Sequence, residues 1–87
     1  MKLVQLDCTQ MTSREEVHRL FAQALDFPQW YGNNLDALYD LLCEQPDTML
    51  TLLHTSSLAS LGSYGASVLE TLQDAAKENP RLILMFD

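Results

Sequence analysis

Met49-Leu50-Thr51-Leu52-Leu53 and Leu82-Ile83-Leu84-Met85-Phe86 decide the fold. Each is a short apolar run that begins soon after a proline, Pro46 and Pro80 respectively, and neither alternates apolar with polar residues. That is the pattern of strands covered on both faces, as in parallel sheets, rather than of strands with one wet face. Leu3-Val4-Gln5-Leu6, closed by Asp7 and the polar stretch Thr9 to Ser13, has the same character near the start of the chain.

The segments between these runs are helical in period. Ser13 followed three residues later by Glu16 has the form of a capping box, and Val17, Leu20, Phe21, Ala24 and Leu25 then recur at helical spacing. This helix must stop near Asp26, because Pro28 holds Phe27 in extended geometry. A second helix starts with Asn34 as its N-cap and Asp36 in its positive first turn. Leu35, Leu38, Leu41 and Leu42 fall on one side of it, and Asp36, Tyr39, Asp40 and Cys43 occupy the adjacent sector. Thr55 to Gly62 has room for one short helical turn, and Ala66 to Lys77 carries Val68, Leu69, Leu72, Ala75 and Ala76 at helical spacing, ended by Asn79 and Pro80. Strands separated by helical stretches pair in parallel through right-handed crossovers. The expected architecture is therefore α/β, a three-stranded parallel sheet with helices packed against it, in a single domain over residues 1–87.

Composition narrows the function. Twelve acidic residues against five basic ones give a net charge of −7, which disfavours binding to nucleic acid or to anionic lipid by charge. No basic residue lies between Arg19 and Lys77, whereas Asp26, Asp36, Asp40, Glu44, Asp47, Glu70 and Asp74 all do, so these carboxylates lack a local partner. A solvated surface is the bland explanation, and a cationic protein partner the sharper one. Asp7 interrupts the first apolar run too early for a secretory signal, and no stretch approaches the ~18 apolar residues of a membrane span. Cys8, Cys43, His18 and His54 have no metal-ligand spacing. No cofactor or metal is expected, and a cytoplasmic protein with both thiols reduced is.

An enzyme has little to stand on. Gly62 and Gly65 form an isolated G-x-x-G with no phosphate-binding context, and no serine or cysteine sits in a constellation with His18 or His54. His18 is expected at the surface or its boundary; His54 ends a strand, where a catalytic group of a parallel sheet could sit. Asp36 and Asp40 repel each other at i, i+4, which costs a helix a few tenths of a kcal/mol and asks for another reason. Trp30, Tyr31 and Tyr39 beside them make an acidic patch with aromatic anchors, the composition of a binding hot spot. Of these, Tyr31 is expected in the core and Tyr39 at the interface.

The stretch Phe27-Pro28-Gln29-Trp30-Tyr31-Gly32-Asn33-Asn34-Leu35-Asp36-Ala37-Leu38-Tyr39-Asp40 resembles the central signature of the barstar family of ribonuclease inhibitors. The resemblance implies an α/β fold with a three-stranded parallel sheet. It further implies that the helix after Tyr-Gly-x-Asn, with the loop before it, plugs the cationic active site of a small barnase-like ribonuclease. Carried over by position, Asp40 stands in for substrate phosphate and Asp36 adds a second charge. Tyr39 packs at the mouth of the site, Trp30, Gly32, Asn34 and Leu35 form the loop and helix-start contact, and Asp74 contributes from the last helix. Trp30 and Tyr39 exchange the aromatic sizes usual at their positions, Asn33 replaces an acidic residue, and Glu44 and Gln45 replace a glycine and a tryptophan. The expected partner is a basic ribonuclease or related nuclease toxin, bound one-to-one by a chain that is monomeric when free. The alternative is an acidic interaction module of the same fold bound to a non-ribonuclease partner; a small hydrolase using His54 or the aspartates comes third.

Overall fold

The computed structural model describes residues 1–87. Three strands, β1 (Lys2–Asp7), β2 (Thr48–Leu53) and β3 (Leu82–Phe86), form one parallel sheet in the order β1-β2-β3. In register, Val4 lies beside Leu50 and Leu50 beside Leu84. Three α-helices, α1 (Arg14–Leu25), α2 (Leu35–Cys43) and α3 (Ser63–Glu78), complete the fold with short 3-10 segments at Cys8–Gln10 and Thr55–Leu61. The expected α/β architecture is the one observed.

The strands are not covered on both faces, contrary to expectation. Because the strand order follows the sequence, both crossovers travel the same way along the sheet, and their common right-handedness sends every helix to the same side. Val4, Leu6, Leu50, Leu52 and Leu82 are buried under the helices. The alternate positions look outward: Leu3 is 75% exposed, Ile83 39% and Met85 48%. Apolar runs without alternation therefore belong here to a sheet with one open face.

Each helix begins and ends for a local reason. Ser13 Oγ accepts from the Glu16 amide at 3.2 Å, but the Glu16 carboxylate turns to Arg19 at 2.6 Å, so only half of the capping box forms. Val17, Phe21 and Leu25 bury one stripe of α1, and Asp26 ends it in the left-handed conformation (φ 58°). Asn34 caps α2 as expected, its Oδ1 accepting from the Ala37 amide at 2.8 Å. Leu38, Leu41 and Leu42 face the core. α3 starts at Ser63, three residues before the expected Ala66. Gly65 sits so close to the Leu58 carbonyl that an added Cβ would lie 2.1 Å from its oxygen, so this turn of α3 admits only glycine.

Candidate functional site

The loop from Pro28 to Asn34 is held from beneath. The Tyr31 amide donates to the Pro28 carbonyl at 3.0 Å, and the Tyr31 ring is buried against Phe27 with centroids 4.8 Å apart. Its hydroxyl lies 2.6 Å from Nδ1 of His18, while Nε2 of the same imidazole is hydrogen-bonded to the hydroxyl of Tyr64. The Arg14 guanidinium covers the Tyr64 ring at 4.5 Å. His18 is thus a buried residue rather than the surface or boundary histidine expected, because both of its nitrogens find partners inside the fold. Burial holds its pKa below the ordinary histidine value, so the ring is neutral. One nitrogen then donates to a tyrosine hydroxyl and the other accepts from the second.

With Tyr31 anchored inward, as expected, its neighbour Trp30 is turned outward and is 77% exposed. Exposed Gly32 follows. A Cβ there would come within 3.0 Å of Asn34 Nδ2, the atom that donates to the Gly32 carbonyl at 3.2 Å. The same Asn34 side chain caps α2 through its oxygen, so one residue ties loop to helix. Asn33 reaches this turn at φ 54°, a conformation that asparagine tolerates better than most residues.

On α2, Asp36 and Asp40 are both exposed, and neither belongs to an ion pair. Leu35 is half-buried at the start of the helix, and Tyr39 is half-buried towards α3. The Tyr39 hydroxyl is held above its ordinary pKa by the neighbouring Cys43 thiol, then by partial desolvation, and further by the charges of Glu78 and Asp74. The charges of those two α3 carboxylates therefore act on the Tyr39 side of α2. Asp74, expected as a peripheral contact, belongs to the same surface, and so does Glu78, which the sequence reading missed. The signal for it was its place four residues after Asp74, on the same helix face. Asp47, by contrast, leaves the unpaired set, because Arg81 reaches it at 3.0 Å.

The two helices of this ridge are locked at their lower ends by Asn79. This buried side chain donates to the carbonyls of Leu42 and Gln45, both at 3.0 Å, and accepts from the Arg81 amide at 3.1 Å. The last turn of α2 and the segment after α3 are thereby satisfied by one amide group.

The surface has the parts for binding and few for catalysis. No three His, Cys, Asp or Glu side chains converge to hold a metal ion. His54 is exposed in a left-handed turn (φ 57°) and caps nothing. The Cys8 thiol is pushed up to about 11, by burial first and by the Asp7 charge second, which keeps it unreactive. No helix is long and apolar enough to cross a membrane.

A family model described as barstar (barnase inhibitor) matches residues 1–85. The chain belongs to the barstar family. A Bacillus subtilis (strain 168) protein named "Putative ribonuclease inhibitor YrdF" is 40% identical over 81 residues, which span 90% of this chain and 89% of that protein. Barstar-family membership gives the chain a barnase-inhibitor-like role, with a ribonuclease as the kind of partner, and not an enzyme's. The residues identified by resemblance in the barstar signature sit on one loop and one helix, joined by Asn34, and Asp74 flanks them from α3.

Proposed function

We propose that the chain occludes the active site of a small basic ribonuclease by inserting the loop Trp30–Asn34 and the exposed side of α2, one copy to one nuclease. A ribonuclease site is cationic, since it binds a phosphodiester and stabilises the extra charge of its transition state. A carboxylate set where the phosphate would lie satisfies the same arginine, lysine and histidine donors through charge-assisted hydrogen bonds. Asp40 takes that place and Asp36 adds a second contact. Asp74 and Glu78 extend the negative field beside Tyr39, and Trp30 and Tyr39 supply apolar area at the rim. The inhibitor acts in the cytoplasm, where its two unpaired thiols stay reduced.

One observation carries this function: Asp36 and Asp40 stand one turn apart on α2, exposed and free of ion pairs. Their mutual repulsion is unrelieved in the free chain and would be relieved by a cationic partner. The complementary charges also speed encounter, so the association rate should fall as salt rises. Titrating a barnase-like ribonuclease with the purified chain tests the proposal. Activity should be extinguished at a one-to-one ratio, and a mononucleotide that fills the phosphate site should compete with the inhibitor. Binding that a mononucleotide leaves unchanged would point to the interaction module with a non-ribonuclease partner. Loss of nuclease activity only at large excess would refute stoichiometric occlusion.

A further inference from the structure

We infer that His18 carries its one imidazole hydrogen on Nε2, and that Tyr64, by accepting that hydrogen, is a positioning residue for the loop from Trp30 to Asn34. The effect of Tyr64 on affinity rests on the proposed function, whereas the place of the hydrogen belongs to the free chain.

The neutral ring has one N–H and one bare nitrogen, and each nitrogen meets a tyrosine hydroxyl. Two arrangements are open. With the hydrogen on Nδ1, His18 donates to Tyr31, and Tyr64 donates to Nε2. The phenolic hydrogen of Tyr31 then needs an acceptor of its own and finds none: His18 is the only partner of that hydroxyl, and the Tyr31 ring is packed in the core against Phe27. With the hydrogen on Nε2, Tyr31 donates to Nδ1 and His18 donates to Tyr64. All three hydrogens are then placed, because half-buried Tyr64 borders an open hollow of about 640 Å³ between α1 and the start of α2, where solvent accepts its hydroxyl hydrogen. A buried donor without an acceptor is the costlier fault, so the unequal depth of the two hydroxyls decides the tautomer. Burial also raises the pKa of the Tyr31 hydroxyl, which keeps it a donor.

The direction of the bonds gives each residue a separate task. Tyr64 holds the hydrogen at Nε2 and so leaves Nδ1 bare. Bare Nδ1 takes the hydrogen of Tyr31, and Tyr31, between Trp30 and Gly32, fixes the middle of the loop together with its amide bond to the Pro28 carbonyl. Tyr64 makes no hydrogen bond to the loop itself, so its influence passes through His18. Arg14, one turn before His18 on α1, lies over the Tyr64 ring at 4.5 Å and belongs to no ion pair, so it steadies that ring. The charges around the hollow have both signs, Arg14, Glu15 and Arg19 from α1 and Asp36 from α2, and burial rather than any one of them keeps the imidazole neutral.

Long-range ¹H–¹⁵N spectra of the whole chain at about pH 8, above the ordinary histidine pKa of about 6.5, test the assignment. Nδ1 of His18 should resonate as a bare nitrogen and Nε2 as an N–H. In Tyr64→Phe, which keeps a ring under Arg14, the tautomers should mix and the two resonances should move towards each other, whereas loss of packing alone would leave them in place. The amides of Gly32 and Asn33 should lose order in ¹⁵N relaxation, and a ribonuclease that the parent inhibits should be bound at least about threefold less tightly. If Tyr64→Phe fails to fold, the parent spectrum still decides the tautomer. A hydrogen on Nδ1 in the parent, or resonances unmoved in Tyr64→Phe, would overturn the inference whatever the chain binds. Loop amides as ordered in the variant as in the parent would remove the positioning role of Tyr64. Lost order with unchanged affinity would uphold that role and count against the proposed occlusion instead.

Discussion

Nδ1 of His18 stands 2.6 Å from the hydroxyl of Tyr31, so the first helix grips the middle of the loop that presents Trp30. A buried group thereby holds in place the loop proposed to meet the partner. Its charge state then bears on both stability and binding.

The pH dependence follows from the sign of the His18 shift. Burial lowers the folded-state pKa below the ordinary 6.5, so below that value the unfolded chain takes up a proton that the folded chain refuses. Stability is full above about pH 6.5 and falls as pH drops towards the folded pKa. Asp7 and Glu16 are also lowered, from 3.8 and 4.5, and their losses begin only in more acid solution. Urea unfolding between about pH 5 and pH 7 should show a slope that His18→Gln removes. That variant should also lose about 1–2 kcal/mol at neutral pH through its poorer fit to two tyrosines.

Asp40→Ala separates folding from binding. The carboxylate is exposed and unpaired, so unfolding free energy should stay within about 0.5 kcal/mol of the parent. Affinity for a ribonuclease that the parent inhibits should drop by at least ~2 kcal/mol, because the cationic groups of the enzyme lose their partner. Calorimetric titration of parent and variant against the same enzyme measures this, and equal affinities would remove Asp40 from the contact.

Asn34→Ala should do both kinds of damage. The loss of the α2 cap costs about 1 kcal/mol of stability, read from chemical denaturation. Because the same side chain also holds the Gly32 carbonyl, the loss of affinity should exceed that of an exposed contact residue cut back to alanine. An affinity equal to the parent's would show that the loop keeps its shape without the tie.

Asn79→Ala should be the most destabilising of these changes, by about 2–3 kcal/mol. It removes three hydrogen bonds of a buried side chain at once and leaves the Leu42 carbonyl with backbone partners alone. Thermal unfolding should register a clear fall in midpoint, whereas the neighbouring Lys77→Ala, at an exposed position, should leave the midpoint nearly unchanged.

What the sequence revealed, it revealed locally. Ser13 and Asn34 announce their helices by capping chemistry, and Pro46 and Pro80 punctuate the strands, so the order of elements was legible. The candidate contact residues were legible because most lie in one stretch from Trp30 to Asp40. What escaped were relations between distant parts. His18 reaches Tyr64 across 46 residues, the charge of Glu78 acts on Tyr39 only once α2 and α3 are packed, and the pairing of Asp47 with Arg81 spans 34. The open side of the sheet was misjudged for a related reason. Leu3, Ile83 and Met85 are as apolar as their inward neighbours, so no alternation betrayed them, and only the handedness of the two crossovers decides which side is bare.

The two-sided character of α2 has a consequence for how such a molecule diversifies. Leu38, Leu41 and Leu42 answer to the interior, whereas Asp36 and Asp40, in the same three turns, answer only to whatever is outside. Under the proposed function, substitutions on the outer side are filtered mainly by partner choice and those on the inner side mainly by foldability. A lineage can therefore follow a changing adversary through successive surface substitutions without first accumulating a reserve of stability.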